Sequence, residues 1–109
     1  TSALPVHIGR VAEAEFVVND PRVSRMHARI EWRQGAFVLK DVSSYGTWVR
    51  FTSNGTDAPT ELALRRQECV LLGAGEMALG APFNDFTVPT VAFQMSALTA
   101  ALAQRGARA

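Results

Sequence analysis

The sequence predicts an all-β protein, a sandwich of two sheets made of roughly nine to eleven short strands. Short extended runs alternate with turn signals along most of the chain, as at the Asn-Asp-Pro-Arg turn of 19–22. Ala28, Ile30 and Trp32 alternate with polar residues, which is the pattern of a half-buried strand. No helical period persists before Ser96. Together these observations favour a strand-rich fold.

The first half of the chain contains five extended segments separated by turns. In chain order they are 4–9, 13–18, 26–32, 36–42 and 47–51. Pro5 suits the beginning of an edge strand because proline cannot donate to a sheet ladder. Arg-Gln-Gly at 33–35 closes a hairpin, and Ser-Ser-Tyr-Gly at 43–46 forms another tight turn.

The second half also consists of short predicted strands, which follow a polar loop at 52–60 that contains Asn-Gly. Its predicted strands are 61–65, 68–72, 76–80 and 87–95. We predict that Gly-Ala-Gly at 73–75 is a turn, and that 83–86 leads into the last strand.

The C-terminal segment has a different character. Residues 96–109 are alanine-rich, with Ser96 as a candidate N-cap and Gly106 as a candidate C-cap. About ten residues form only a marginal helix in isolation. We therefore expect a β-sandwich over 1–95 and a tail that is either a frayed terminus or linker, or a helix docked on a neighbour.

Composition is that of one globular domain. The chain has 109 residues, of which 48% are hydrophobic and 19% charged, and its net charge is +1. A nucleic-acid-binding domain is usually far more basic, so we expect no nucleic-acid partner. Lys40 is the single lysine and the other ten cations are arginine. That bias fits recognition of phosphate or carboxylate, and high-GC codon usage would also produce it.

The sequence gives little support to membrane proteins, disulfide-bonded proteins, hydrolases or metalloproteins. No apolar run reaches the roughly 18 residues of a membrane span, so we expect no membrane partner. Cys69 is the only cysteine; we expect a buried small side chain and a reducing, cytoplasmic setting. Ser24 and His27 lack the further groups of a hydrolase, and two distant histidines make no metal site. We expect no enzyme activity, cofactor or metal. Because the chain begins at Thr1, we expect it to be part of a longer protein.

Three polar motifs stand at predicted strand ends: GR at 9–10, SRMHA at 24–28 and DVSSYGTWV at 41–49. In this order and spacing they resemble the forkhead-associated (FHA) domain, over roughly residues 4–95. The resemblance implies an eleven-stranded β-sandwich that binds phosphothreonine peptides through the loops at one end. It also extends, less specifically, to FHA segments of bacterial multidomain signalling proteins, including those joined to class III nucleotide cyclases.

The resemblance implies four phosphate-contacting residues. Arg10 matches the arginine that contacts phosphate and peptide backbone, and Ser24 matches a serine that donates to a phosphate oxygen. Arg25 and Ser44 match further contacts at the phosphate rim. Physically, a phosphothreonine carries about −1.5 to −2 charges, and converging guanidinium and hydroxyl donors suit it. Each residue also has a simpler interpretation as a solvated surface or turn residue.

Four more residues are expected to support the site. The resemblance implies that His27 braces the binding loop from behind, and that Gly46 and Thr47 shape the last loop. Gly9 precedes the phosphate-contacting arginine. We also predict that Asp41 pins its own loop through hydrogen bonds to backbone.

Two positions depart from the family pattern. Tyr45 stands where the family usually has asparagine, whose amide reads the peptide backbone, and one phenol cannot copy both amide functions. We expect Tyr45 to meet flanking peptide differently, or backbone reading to be weakened. Arg50 stands where the family commonly has asparagine, and we expect it to meet flanking peptide or to mark a solvent-facing strand end.

The sequence therefore predicts a non-catalytic signalling module for phosphothreonine recognition. The ligand threonine would belong to a partner protein or to another part of the same polypeptide. The alternative, motivated by Tyr45, is a phosphorylation-independent interaction or dimerisation module that regulates a linked catalytic domain. A nucleic-acid-binding β-barrel is a weaker alternative, since the net charge is near zero.

Overall fold

The computed structural model describes residues 5–52, 61–96 and 99–105, and within them it contains strands and no helix. These ten strands are β1 (Val6–Gly9), β2 (Phe16–Val17), β3 (Ala28–Arg33), β4 (Ala36–Asp41), β5 (Thr47–Phe51), β6 (Glu61–Leu64), β7 (Glu68–Leu71), β8 (Gly73–Leu79), β9 (Thr90–Ser96) and β10 (Thr99–Arg105). The predicted all-β class is confirmed. The predicted polar loop at 52–60 lies almost wholly outside the described residues, as does Gly106.

The strands form two five-stranded sheets. One sheet has the order β2-β1-β3-β4-β7 and the other β10-β9-β8-β5-β6. All neighbours pair antiparallel except β1 and β2, which run parallel. The predicted β-sandwich is therefore confirmed, with consecutive strands often adjacent and several crossings between the two layers.

The core lies between the sheets because each strand turns alternate side chains inward. On β3, Ala28 and Ile30 are buried while Arg29 and Glu31 lie on the outer face as an ion pair. The fully buried large apolar side chains come from both layers: Ile8, Ile30, Leu39, Leu71, Met77, Leu79, Val18, Val23, Val49 and Val91. Their removal from water is the main term that holds the layers together.

Two sequence predictions are wrong in their local structure. Gly-Ala-Gly at 73–75 opens strand β8 and is not a turn, because β8 is bonded on both sides, to β5 and to β9. The alanine-rich segment forms strand β10, so the helical alternative fails for Thr99–Arg105. The free edge of β9 supplies backbone partners there, and Leu102, opposite Phe93, packs against the core. The division of the chain at residue 95 stays a prediction.

Strand register brings the predicted site loops to one end of the sandwich. In the first sheet Ile8, Ala28 and Asp41 lie side by side, at the end of β1, the start of β3 and the end of β4. In the second sheet Thr47 pairs with Leu64 and with Leu79, again at strand ends. The loops that follow or precede these residues therefore share one face.

Candidate functional site

An open cleft of about 320 Å³ lies at this end of the sandwich. It is lined by Arg10, Pro21, Arg22, Val23, Ser24, Arg25, Ser44 and Tyr45. Five of the six predicted peptide-binding residues are thus brought together, from three separate loops. Pro21, Arg22 and Val23 line it as well, and the sequence analysis did not assign them to the site.

The loop after β1 is held against the loop before β3 at Gly9. A side chain at Gly9 would overlap the backbone carbonyl of Arg25, so only glycine permits this approach. The next amide, that of Arg10, donates to the carbonyl oxygens of Ser24 and Arg25, each at 3.1 Å. Arg10 Nε also donates to the Val23 carbonyl at 2.9 Å, which fixes the guanidinium at the mouth of the cleft.

His27 connects two loops from inside the protein. Its side chain is fully buried; the Ser24 amide donates to Nδ1 at 3.0 Å, and Nε2 lies 2.9 Å from the Gly46 carbonyl. Because Nδ1 accepts, Nε2 carries the proton and donates, and the ring is neutral. Burial lowers the pKa of His27 and outweighs the opposing hydrogen bond to Gly46 and the charge of Asp41.

Ser24 presents its hydroxyl to the cleft with the proton available. The Ser44 amide donates to Ser24 Oγ at 3.0 Å, so this oxygen acts as an acceptor within the protein. The hydroxyl proton is then free to donate to a bound anion. His27 contacts the amide of Ser24 and not its hydroxyl, which is not the geometry of a nucleophile and its base.

Asp41 organises the loop between β4 and β5. It is fully buried, and the hydroxyls of Ser43 and Thr47 donate to its Oδ1 at 2.6 Å each. The Arg66 amide donates to Oδ2 at 2.8 Å, and the Ser43 amide donates to Oδ1 at 3.4 Å. Asp41 thus pins its own loop as predicted, but mainly through the hydroxyls of Ser43 and Thr47, while its short backbone contact, from Arg66, ties in the loop between β6 and β7. These contacts also show Thr47 as a buried loop-holding residue.

The turn that carries Ser44 and Tyr45 ends at Gly46, whose φ is +105°. Glycine adopts this left-handed region without strain. The Gly46 amide donates to Ser43 Oγ at 2.7 Å, so the turn is held internally. Its outer residues face solvent: Ser44 is exposed, and Tyr45 is 60% exposed with no hydrogen bond to any described residue.

Arg22 lines the cleft, but its charge is already compensated. Its Nε lies 3.1 Å from Asp20 Oδ1 and its Nη1 lies 3.4 Å from Asp85 Oδ2. The hydrogen bond from Arg22 is the largest cause of the lowered pKa of Asp20, and that same bond raises the pKa of Arg22. The signal in the sequence was the short spacing of Asp20 and Arg22, which the Asn-Asp-Pro-Arg turn brings together.

Arg10 and Arg25 differ from Arg22 in this respect. Neither forms an ion pair with the described residues, and both are exposed. Among the described residues, no carboxylate lines the cleft. Two uncompensated guanidinium groups and a free hydroxyl proton therefore face the same opening, which concentrates positive potential in a protein of nearly neutral net charge.

Arg50 does not reach this opening. It lies on β5, where Nη2 is 2.7 Å from Glu76 Oε1 and the guanidinium stacks 4.1 Å from the Phe83 ring centre. Glu76 faces it from the neighbouring strand β8. The predicted contact of Arg50 with flanking peptide has no support from this placement, and we leave Arg50 out of the site.

Over the described ranges, no group of three or more His, Cys, Asp or Glu side chains is arranged to hold a metal ion. None of the described segments is a helix of the length and apolar character needed to cross a membrane. Cys69 is partly buried on β7, and burial raises the pKa of its thiol to about 11.

Comparison with known proteins gives consistent results. The FHA domain profile matches residues 6–73. The chain is 42% identical over 52 residues to chloroplastic zeaxanthin epoxidase of Nicotiana plumbaginifolia, and 45% identical over 42 residues to that of Prunus armeniaca. These alignments cover 42% and 38% of this chain, which spans only 8% and 6% of the length of these curated relatives.

A solved structure shares the fold. The FHA-2 domain of an ABC transporter from Mycobacterium tuberculosis matches with a TM-score of 0.57 and 24% identity, covering 93% of this chain and 73% of that one. FHA domains are phosphopeptide-recognition modules and are typically non-catalytic. The profile match spans all three loops of the cleft and more than half of the sequence, and the chain therefore belongs to the FHA domain family.

Proposed function

We propose that the cleft binds a phosphothreonine-containing peptide and that the domain is a non-catalytic recognition module. The observation that carries this proposal is the convergence of Arg10, Ser24 and Arg25 on one open cleft, whose lining contains no carboxylate from the part of the chain that the structure describes. A phosphate dianion needs several charge-assisted donors, and these groups supply them without first breaking an internal ion pair.

Each residue has a distinct part in the proposed complex. Arg10 is fixed through Nε, so its two terminal nitrogens remain for a phosphate oxygen. Ser24 donates its hydroxyl proton, since the oxygen already accepts from Ser44. Arg25 adds the second charge from the exposed side of the loop, and the Ser44 hydroxyl stands at the rim. Gly9, His27, Gly46 and Thr47 hold the loops and do not touch the ligand.

Tyr45 is proposed to contact the residues that flank the phosphothreonine. Its ring lines the cleft and is mostly exposed, so a bound peptide would cover it. Aromatic rings contribute apolar area at low entropy cost, which compensates for the weaker reading of peptide backbone.

We further propose that the module acts within a longer signalling protein, in the cytoplasm, and regulates a linked catalytic domain. In support, the matching segment is a small part of the curated relatives, which are enzymes by name. The phosphothreonine would lie on a partner or elsewhere in the same polypeptide, where short-range tethering raises its effective concentration.

The test is a titration of matched peptides by fluorescence anisotropy. Peptides that differ only in threonine, phosphothreonine or phosphoserine are compared at fixed salt. We expect binding of the phosphothreonine form and no saturable binding of the unphosphorylated one. Equal affinity for both would instead support a phosphorylation-independent interaction module.

A pair of arginine variants localises the site. We expect Arg10→Ala to weaken phosphopeptide binding at least tenfold, about 1.4 kcal/mol or more, with the fold intact by circular dichroism. Arg33→Ala removes the same charge at the far end of β3, where Arg33 pairs with Glu31 and Glu68, and should leave affinity within about twofold. Equal effects of the two variants would show that net charge, and not the cleft, drives binding.

A further inference from the structure

Strand β10 is attached to the sandwich mainly through its ladder of backbone pairs with β9. The segment is rich in alanine, a residue that is depleted in strands. Among the described side chains of β10, Leu102 packs against the core, whereas Ala101, Ala103 and Gln104 are exposed. β9 is fixed independently of β10, because it is bonded to β8 on its other side and turns buried side chains into the core. Any strand with the sequence of β10 could therefore take its place on β9.

The connection from β9 to β10 is very short for an antiparallel pair. Ser96 pairs with Thr99, which leaves only Ala97 and Leu98 in the sequence to reverse the chain. Two-residue connections favour turns with φ > 0 at one or both central positions, and glycine, asparagine or aspartate usually supply them. Alanine and leucine are unsuited to such a turn, because a left-handed backbone brings Cβ too close to the following carbonyl oxygen.

The first hairpin of the protein shows what a two-residue reversal needs. Between the paired residues Arg33 and Ala36 lie Gln34 and Gly35, whose φ values are +52° and +80°. Positive φ at both positions is the pattern of a type I′ turn, and glycine adopts it without strain. Leu98 takes the place in the second hairpin that Gly35 takes in the first. The connection between β9 and β10 would therefore gain stability if it became straight.

We propose that two copies of this chain form a dimer by exchanging β10. In each copy β9 runs straight through residues 97–98 into β10, and β10 pairs with β9 of the second copy in the register seen within one chain. All the pairs between β9 and β10 are retained, as is the packing of Leu102, while both chain reversals disappear. Exchange of an identical element is a low-cost route to a dimer, and a short hinge under strain promotes it.

The register of the two strands is compatible with this dimer. Phe93 and Leu102 are paired, and both pack in the core of one sandwich. Side chains alternate between the two faces of a straight strand, so within one uninterrupted strand these two residues, an odd number of positions apart, lie on opposite faces. The core of one copy therefore lies on one face of the shared two-stranded ribbon and the core of the second copy on the other. The two sandwiches do not compete for the same space.

Exchange of β10 leaves the cleft complete in each copy. None of the described residues that line the cleft belongs to β9 or β10. Dimer formation is therefore a property separate from the proposed peptide binding, and it is measured without a peptide.

The first experiment measures molar mass by size-exclusion chromatography with light scattering, after refolding at protein concentrations that span about a hundredfold range. We expect a dimer fraction that rises with concentration. The double variant Ala97→Asn/Leu98→Gly supplies the residues of a type I′ turn and should lower the association constant at least about tenfold. Gln34→Asn places the same residue type in the turn between β3 and β4, and as the matched control it should leave the association constant unchanged.

Deletion of Ala97 and Leu98 together tests the proposal in the opposite direction. The deletion leaves no residue to reverse the chain in the observed register, while the alternation of faces along a straight strand is preserved. We expect this variant to be dimeric at every concentration, with strand content by circular dichroism like that of the wild type.

A cross-linking experiment identifies the strands that pair in the dimer. Gln94 and Ala101 are paired and exposed, so a cysteine at each position lies within reach of a disulfide. Two Cys69→Ala proteins, one with Gln94→Cys and one with Ala101→Cys, are refolded together and oxidised. We expect a covalent heterodimer on a non-reducing denaturing gel, and no covalent dimer from either protein alone.

Three results would overturn the proposal. One is a wild-type protein that stays monomeric over the whole concentration range. Another is a dimer whose mixed cysteine variants give no covalent heterodimer, since its two copies would then meet through a different surface. The third is an equal dimer fraction in the wild type and in Ala97→Asn/Leu98→Gly, which decides the matter even where the deletion variant does not fold.

Discussion

Replacement of His27 by alanine tests the internal brace of the cleft. The change removes a fully buried ring that accepts from the Ser24 amide and donates to the Gly46 carbonyl. Each lost hydrogen bond is worth about 1 kcal/mol, and the cavity adds a further amount. The Gly46 carbonyl keeps one donor, the Gly80 amide, which limits the loss. We expect the free energy of unfolding to fall by about 2–4 kcal/mol.

The assay is urea denaturation followed by tryptophan fluorescence, with His7→Ala as the matched control. His7 is partly exposed and pairs with Glu15 at the surface, so its removal should cost less than about 1 kcal/mol. A His27→Ala protein as stable as wild type would refute the argument that this ring holds the two loops together.

The same histidine predicts a dependence of stability on pH. Burial lowers the pKa of folded His27 below its ordinary value of about 6.5. Between these two pKa values the unfolded chain binds more protons than the native protein, so stability falls as pH drops below about 6.5. We expect His27→Ala to lose this slope between about pH 6.5 and 5 in urea titrations. An unchanged slope would mean that His27 is not kept neutral by folding.

Two further substitutions and one chemical modification test other parts of the structure. Gly9→Ala should lower the free energy of unfolding by at least about 2 kcal/mol and phosphopeptide affinity at least about tenfold, because the Arg25 carbonyl occupies the space that the new methyl group needs. Urea denaturation and peptide titration of the same sample check both. Asp41→Ala should destabilise by about 3–5 kcal/mol since it leaves four donors without their carboxylate, and a loss under 1 kcal/mol would contradict this. At pH 8 the Cys69 thiol, with a pKa of about 11, should react with iodoacetamide about a hundredfold more slowly than an unperturbed thiol, until urea unfolds the protein.

Most of the strands could be predicted from local patterns of apolar residues and turn signals. The alternation at Ala28 and Ile30 placed β3 with the correct face inward, and the hairpin into β4 followed. The helix that was one expectation for the alanine-rich segment does not form over Thr99–Arg105, because helix propensity is weak and an available sheet edge at β9 overrides it. Such an edge is a property of the assembled sandwich and leaves no signal within the segment itself.

The site could be predicted from three motifs and the family that they resemble. Ser24, Arg25 and Ser44 come from two of these motifs and line the same cleft. Arg50 was expected to meet flanking peptide or to mark a solvent-facing strand end. Its pairing with Glu76 could not be foreseen, because Glu76 lies on another strand and cross-strand register cannot be read from one motif.

The Gly46 carbonyl oxygen accepts from His27 and from Gly80, two residues that belong to the loops of opposite layers of the sandwich. This single oxygen atom therefore links the two layers by hydrogen bonds just beneath the cleft. If one layer slid against the other, these two hydrogen bonds would be strained and the ligand-contacting loops would deform at the same time. Occupancy of the cleft should therefore slow hydrogen–deuterium exchange on strands of both layers together, well away from any residue that the peptide touches.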